Sequence, residues 1–169
     1  DVEQFFWLGK TLHLWNRLKV GEYKVSAAMS PLEIFKVLTS GVSLFYPVTI
    51  HEGDNIYQIG AEMEKRGLGT KDEFIRLCRD AETMRQLGFD TPLPPSLEGY
   101  LFPDSYNFNR TMHTREMLKM MHDQFKKVWT DSIAAQAKSM SLSPHQVITL
   151  ASIIEKETGA PEERPLISS

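Results

Sequence analysis

Residues 146 to 158 read Gln-Val-Ile-Thr-Leu-Ala-Ser-Ile-Ile-Glu-Lys-Glu-Thr, and this stretch predicts the helix around which the chain is organised. Apolar or small side chains recur there every three or four residues, as in a helix packed on a core: Val147, Leu150, Ala151, Ile154 and Thr158. Glu155 falls just off this face, between the directions of Ala151 and Ile148, whereas Lys156 points the opposite way and should be solvated. A half-buried carboxyl can have its proton affinity raised. We therefore single out Glu155 as the candidate catalytic residue. The alternative is that Glu155 lies at the edge of the core and forms only a surface ion pair.

Local signals divide the rest of the chain into helices and two short strands. Capping boxes, in which a hydroxyl residue precedes Glu or Gln by three positions, start helices at Ser30, Thr70 and Ser143. Helices are predicted for residues 2–18, 30–40, 54–67, 70–87, 114–138 and 143–158. The composition and alternation of residues 21–25 and 43–50 predict strands. This mixture predicts an α+β fold.

A weak internal repeat relates residues 29–39 to residues 53–63, aligning Leu32 with Ile56 and Phe35 with Ile59. Each copy is a strand, a turn and a capped helix, and neither copy buries enough surface alone, so the two are expected to pair. Residues 48–59 resemble the LysM pattern, which in that family often accompanies binding to N-acetylated glycans. The alternative is that these residues are simply core positions of a small α+β unit.

Residues 89–112 are predicted to form a long structured loop, because the prolines and glycines between positions 92 and 103 exclude a long helix. Within it, Ser96-Leu-Glu-Gly-Tyr-Leu-Phe-Pro-Asp-Ser-Tyr106 places Glu98 and Asp104 among three aromatic residues. Such a composition suits stacking on sugar faces with hydrogen bonds to their hydroxyls. A purely structural interpretation, in which Glu98 caps a turn and the aromatic residues cover the core, is equally open.

Composition excludes several classes of protein. With 41% hydrophobic and 24% charged residues, the 169-residue chain has an ordinary globular balance. A net charge of −3 with scattered Lys and Arg argues against a nucleic-acid partner. The five histidines lack zinc-site spacing, and nucleotide-binding and nucleophile motifs are absent, so we predict neither a metal nor a cofactor. The chain begins without Met and stops where a new apolar run begins, so we expect a piece of a longer protein.

Two motifs together resemble one protein family. Residues 97–106, Leu-Glu-Gly-Tyr-Leu-Phe-Pro-Asp-Ser-Tyr, and residues 151–158, Ala-Ser-Ile-Ile-Glu-Lys-Glu-Thr, are similar to motifs of the endolytic murein transglycosylases, the YceG-like family. The resemblance covers nearly the whole chain. It implies that Glu155 matches the family's catalytic glutamate.

The resemblance also implies a domain organisation, with a small LysM-like subdomain followed by a mainly helical catalytic domain. Residues 1–19 would form an N-terminal helix, residues 20–68 the LysM-like subdomain, and residues 69–169 a catalytic domain truncated at its C-terminus. Because family members continue into a segment that completes the cleft, the fragment alone is expected to have little activity.

The reaction that the resemblance implies is cleavage of the β-1,4 bond between N-acetylmuramic acid and N-acetylglucosamine without water, which leaves a 1,6-anhydro end. Glu155 would protonate the leaving oxygen and then take the proton of the substrate's own C6 hydroxyl. That role requires a pKa above the ~4.3 of free Glu. Glu98, Asp104 or Glu157 would stabilise positive charge at the sugar, and these three together with Tyr100 are the candidate substrate-binding residues.

The implied partners are peptidoglycan glycan strands and peptidoglycan synthases. The implied location is the inner membrane, with one anchoring helix in the parent protein and the catalytic part facing the periplasm or cell exterior. Two other functions stay open. A non-catalytic peptidoglycan-binding or scaffold module would bind sugar without turnover, and a lysozyme-like hydrolase would leave reducing ends and need a second carboxylate.

Overall fold

The computed structural model describes residues 2–157, so the predictions for Thr158 and for residues 164–169 lie outside the described part of the chain. Two strands and eight α-helices are formed there: α1 (Val2–Thr11), α2 (Pro31–Ser40), β1 (Tyr46–Thr49), α3 (Ile56–Lys65), α4 (Lys71–Cys78), α5 (Ala81–Leu87), β2 (Ser105–Phe108), α6 (Thr114–Val128), α7 (Asp131–Ser139) and α8 (Pro144–Glu157). This combination confirms the α+β class. Among the described residues, no helix is both long enough and apolar enough to cross a bilayer.

The predicted capping residues begin the helices as expected. Ser30 accepts a hydrogen bond from the backbone N–H of Glu33, whose carboxylate accepts one from the N–H of Ser30. Ser143 and Gln146 make the same reciprocal pair at the start of α8. Thr70 caps α4 through the N–H of Glu73 alone. Each cap satisfies N–H groups that have no partner inside the helix.

Two helices that the sequence predicts as continuous are each broken into a pair. The helix predicted for residues 114–138 ends at Val128 and restarts at Asp131, because Thr130 accepts a hydrogen bond from the N–H of Ile133 and acts as a new cap. The helix predicted for residues 70–87 restarts after Asp80, whose carboxylate accepts from the N–H of Thr83. A capping residue in the interior of a periodic stretch therefore ended each helix.

The predicted strand at residues 21–25 is wrong, whereas the second predicted strand is confirmed over residues 46–49. Residues 21–25 share with the 43–44 segment only isolated bonds, such as that from the N–H of Leu44 to the carbonyl of Glu22. Val25 is exposed, so the segment has no buried face to stabilise a ladder.

The sheet pairs two segments that are far apart in sequence. Strands β1 and β2 are antiparallel, with Tyr46 opposite Phe108 and Val48 opposite Tyr106. The sheet thus joins the predicted LysM-like subdomain to the predicted catalytic domain, and one hydrophobic core includes residues of both: Val48, Ile56, Ile59, Met63, Phe74, Leu77, Leu97, Phe108, Leu118 and Met121. The boundary at residue 68 stays a prediction, but the two parts share this sheet and this core.

His122 is a buried titratable group within the core, on α6. Its ring lies 4.7 Å from that of Phe89 at an interplanar angle of 28°, and its Nδ1 lies 3.2 Å from the carbonyl oxygen of Tyr100. Burial lowers the pKa of His122, and the hydrogen bond to Tyr100 opposes this effect. Among charged neighbours, Lys126 and Lys119 lower the pKa further and Asp123 raises it.

A pH dependence of stability follows from this burial. The folded-state pKa of His122 lies below the unfolded value of ~6.5. The stability that neutral His122 contributes is therefore complete above the unfolded pKa and is lost as the pH falls from there through the folded-state pKa. We expect the free energy of unfolding, measured by urea denaturation, to decrease between pH 7.5 and pH 5.5. His122→Gln should show a smaller decrease, whereas His113→Gln, at a site that is not buried, should match the unsubstituted protein. Equal decreases in all three would contradict this assignment.

Candidate active site

A groove with a volume of about 620 Å³ runs between the start of α3, the loop at residues 97–103, the end of α6 and one face of α8. Its described lining is both apolar and acidic. It includes Glu52, Asp54, Asn55, Ile56, Glu98, Gly99, Phe102, Phe125, Trp129, Ile148, Ala151, Ser152, Glu155 and Lys156. A cavity of this size, with a few polar groups on apolar walls, is typical of a ligand site.

Glu155 lies in the groove, and its side chain is half-buried. The face that α8 turns towards the groove includes Val147, Ile148, Ala151 and Glu155. When Ser152 and Lys156, which also line the groove, are included, this face is centred about one residue step, ~100°, from the face that the apolar pattern predicts. Glu155 therefore stands near the middle of the groove-facing side of the helix.

The predicted inner face of α8 is only partly correct. Leu150 is 39% exposed, Ala151 is exposed as well, and none of the described residues of α8 is fully buried. The helix lies on the rim of the core instead of being covered by it. Lys156 is exposed, as expected, but it lines the groove beside Glu155 instead of pointing away.

Glu98 shares the groove with Glu155 and is held by the start of α3. Its Oε2 accepts a hydrogen bond of 3.1 Å from the backbone N–H of Ile56, the first residue of that helix. A carboxylate at this position satisfies one of the unpaired N–H groups and is stabilised by the helix dipole. Glu98 therefore has a structural role and a place in the cavity at once, because it caps a helix and also lines the groove.

Tyr100, predicted from the sequence to bind substrate, lies outside the described lining of the groove. It is 4% exposed and packs edge-on against Phe89 with ring centroids 4.9 Å apart. Tyr106 is also buried, and its hydroxyl donates to the carbonyl of Phe102 at 2.6 Å. Burial raises the pKa of both phenols, that of Tyr106 to about 12. These two rings cover the core and offer no open face to a sugar.

Asp104 and Glu157 also lie outside the described lining of the groove. The carboxylate of Asp104 accepts hydrogen bonds from the N–H of Ser105 and from the side-chain amide of Gln124, at 2.7 and 3.1 Å. Glu157 is exposed at the last described position of α8. Of the five residues predicted for the site, the structure brings Glu155 and Glu98 together.

Several groove residues were not predicted from the sequence, among them Asp54, Trp129 and Lys156. Asp54 accepts a hydrogen bond from the N–H of His51 at 2.8 Å, within the turn before α3. Trp129 lies in the link between α6 and α7, which the sequence predicts to be helical throughout. A possible signal was Thr130, because a helix cap at this position places the preceding Trp129 in the link between two helices.

Gly99 fixes the position of α8 against the loop. Its backbone has φ +80°, which favours glycine, and a Cβ atom at this position would lie 2.2 Å from Cγ2 of Ile148. Ile148 therefore occupies the space that any other residue at position 99 would fill. This contact brings the helix that carries Glu155 beside the loop that carries Glu98.

Substitution of Gly99 by Ala should lower the free energy of unfolding by about 2 kcal/mol or more, because the steric clash adds to the strain of positive φ. Gly88→Ala is the matched control, since Gly88 has φ +94° but nothing lies within 4 Å of the place that its Cβ atom would take. In an Ile148→Ala background the effect of Gly99→Ala should fall to that of the control, as measured by urea denaturation. An undiminished effect would show that Ile148 is not the obstacle.

The comparisons with known proteins agree on one family. The family model described as YceG-like family matches residues 1–169. A protein of Bacillus subtilis named endolytic murein transglycosylase is 28% identical over 164 residues, covering 89% of this chain and 45% of that protein. A protein of the same name from Streptococcus pneumoniae strain D39 is 27% identical, with 91% and 32% covered. The chain thus spans less than half the length of these relatives.

The fold is similar to that in a crystal structure of a yceG-like protein from Listeria monocytogenes. The TM-score is 0.60, with 23% sequence identity over 97% of this chain and 58% of the other. This likeness supports the overall fold.

Proposed function

The chain belongs to the YceG-like family, and from that premise we propose that it is part of a lytic transglycosylase that cleaves peptidoglycan glycan strands internally. The observation that carries the proposal is the half-buried Glu155 in the middle of one wall of the groove. The relatives named endolytic murein transglycosylase support the substrate class.

The proposed bond is the β-1,4 link between N-acetylmuramic acid and N-acetylglucosamine. Glu155 donates its proton to the glycosidic oxygen, which leaves as the 4-hydroxyl of N-acetylglucosamine. The C6 hydroxyl of the muramic acid then attacks C1, and the Glu155 carboxylate accepts the hydroxyl proton. One C–O bond breaks, one forms, and the glutamic acid is regenerated, so the step consumes no water and yields a 1,6-anhydro end.

Glu98 is the carboxylate that we propose to stabilise positive charge at the sugar during this step. It lines the same groove as Glu155, whereas Asp104 and Glu157 lie outside the described lining. The hydrogen bond from the backbone N–H of Ile56 holds the Glu98 carboxylate in place. A fixed anion on the groove wall supplies electrostatic stabilisation without reorganising during the reaction.

We extend the proposal to the parent protein on the strength of the family resemblance. Residues 20–68 form a LysM-like subdomain that contacts N-acetylated glycan beside the groove. A single membrane helix of the parent anchors it in the cytoplasmic membrane, with the catalytic part facing the periplasm or cell exterior. Peptidoglycan synthases are its partners there.

Replacement of Glu155 by Gln in the complete protein should reduce anhydro-end formation at least ~100-fold, because the amide can neither donate nor accept the required proton. Mass spectrometry of digested glycan strands measures these ends, and circular dichroism verifies the fold. Glu157→Gln is the matched control and should retain activity. Undiminished formation of anhydro ends by the Glu155→Gln variant would exclude Glu155 as the catalytic residue. If the unsubstituted protein bound glycan strands but formed no anhydro ends, that result would favour a non-catalytic module.

The role of Glu98 is tested by Glu98→Gln, whose amide oxygen can still accept the hydrogen bond from Ile56. We expect unfolding free energy to stay within ~1 kcal/mol while kcat falls by roughly ten- to 100-fold through loss of the negative charge. Asp104→Asn, which alters a carboxylate beyond the groove lining, should leave kcat nearly unchanged. A Glu98→Gln variant with full kcat would remove this residue from the mechanism.

A further inference from the structure

Trp129 stands between the groove and a second cavity. That cavity has a volume of about 360 Å³ and lies between α7 and the start of α8. Its lining is Trp129, Ala134, Ala137, Lys138, Ser141, Leu142, Ser143 and Pro144. Trp129 is therefore part of the lining of both spaces.

The ring of Trp129 is fixed by the short link between α6 and α7. Its backbone N–H donates to the carbonyl of Phe125 at 2.9 Å, and the two rings are nearly parallel, with centroids 5.9 Å apart and an interplanar angle of 15°. The N–H of Thr130 donates to the carbonyl of Val128, and its hydroxyl caps α7. The indole is nevertheless partly exposed. It therefore forms a rigid aromatic wall with an accessible surface.

The second cavity combines apolar walls with one cation. Its apolar lining residues include Ala134, Ala137 and Leu142, and its polar ones are Lys138, Ser141 and Ser143. Ser141 has φ +58° at the end of α7, where the N–H of Leu142 donates to the carbonyl of Ala137. Within residues 2–157 the Lys138 ammonium forms no ion pair, unlike the Lys126 ammonium on α6.

We propose that the second cavity is a distal saccharide subsite, an inference that rests on the proposed function. Cleavage within a strand leaves sugars on both sides of the broken bond, so the strand must continue beyond the groove. Trp129 offers an aromatic face to the passing sugar ring. Lys138 pairs with the free lactyl carboxylate of a muramic acid whose stem peptide has been removed. The subsite thus selects peptide-free strands.

Binding of two tetrasaccharides tests this inference, measured by titration calorimetry in a Glu155→Gln background so that turnover does not consume ligand. One alternates N-acetylglucosamine with peptide-free N-acetylmuramic acid; the other is the N-acetylglucosamine tetramer, which lacks the carboxylates. Trp129→Ala should weaken binding of both by about tenfold, whereas Trp129→Phe keeps an aromatic ring and should lose little.

Lys138→Gln should weaken only the muramic-acid ligand, by up to about fivefold, as expected of a solvent-exposed ion pair. Lys127→Gln is the charge-matched control, because this lysine on α6 bonds to Gln124 and lies outside the described lining of both cavities. It should change neither affinity. Equal weakening of both ligands by Lys138→Gln, or unchanged binding after Trp129→Ala in a protein that keeps its thermal melting curve, would overturn the subsite.

The proposed subsite and the proposed reaction can be overturned independently of each other. Release of anhydro ends by the complete protein, together with binding that is indifferent to Trp129 and Lys138, would overturn the subsite and leave the reaction standing. The expected binding pattern without anhydro ends would support the subsite and overturn the reaction. Absence of binding by either tetrasaccharide would overturn the subsite.

Discussion

The Cγ2 atom of Ile148 occupies the place where a Cβ atom would stand at position 99, so the loop and α8 meet through a residue that has no side chain. Tight packing of this kind leaves few alternative positions for either partner, because an interior contact is lost or blocked by small displacements. The wall that carries Glu98 and the wall that carries Glu155 thus meet at this van der Waals contact. A second contact lies beside it, where the ring of Tyr100 is nearly parallel to that of His145 on α8, with centroids 6.4 Å apart and an interplanar angle of 10°.

The opposite side of the loop is tied down by hydrogen bonds. Glu98 accepts from the first N–H of α3, and β2, which follows the loop, pairs with β1 just before α3. The loop is thus attached at both ends to the same small unit of strand and helix. An acidic group on such a support keeps its position without a rigid helix of its own. This explains how a proline-rich segment can form part of a defined cavity.

The sequence predicted the α+β class and the capping residues Ser30 and Ser143 because these depend on local patterns. The predictions from sequence failed where contacts between distant residues, or competing capping residues, determine the structure. The apolar periodicity of α8 gave a face that includes Leu150, whereas the groove-lining face is centred about one residue step away and includes Ile148, which packs on Gly99. Thr130 broke a helix whose Met and aromatic periodicity continued through it. Glu155 and Glu98 were identifiable from motif and composition, whereas their presence in one groove required the fold.

The pairing of β1 with β2 also bears on how the chain acquires its shape during synthesis. Strand β1 is complete at residue 49, but its partner comprises residues 105–108 and Ile148 follows later still. A nascent chain therefore carries an unpaired strand edge with Val48, fully buried in the finished protein, while residues 50–104 are added. Such non-local pairing slows folding. Exposed strand edges of this kind are the surfaces that chaperones protect, so residues 46–49 need such protection until β2 has been synthesised and pairs with them.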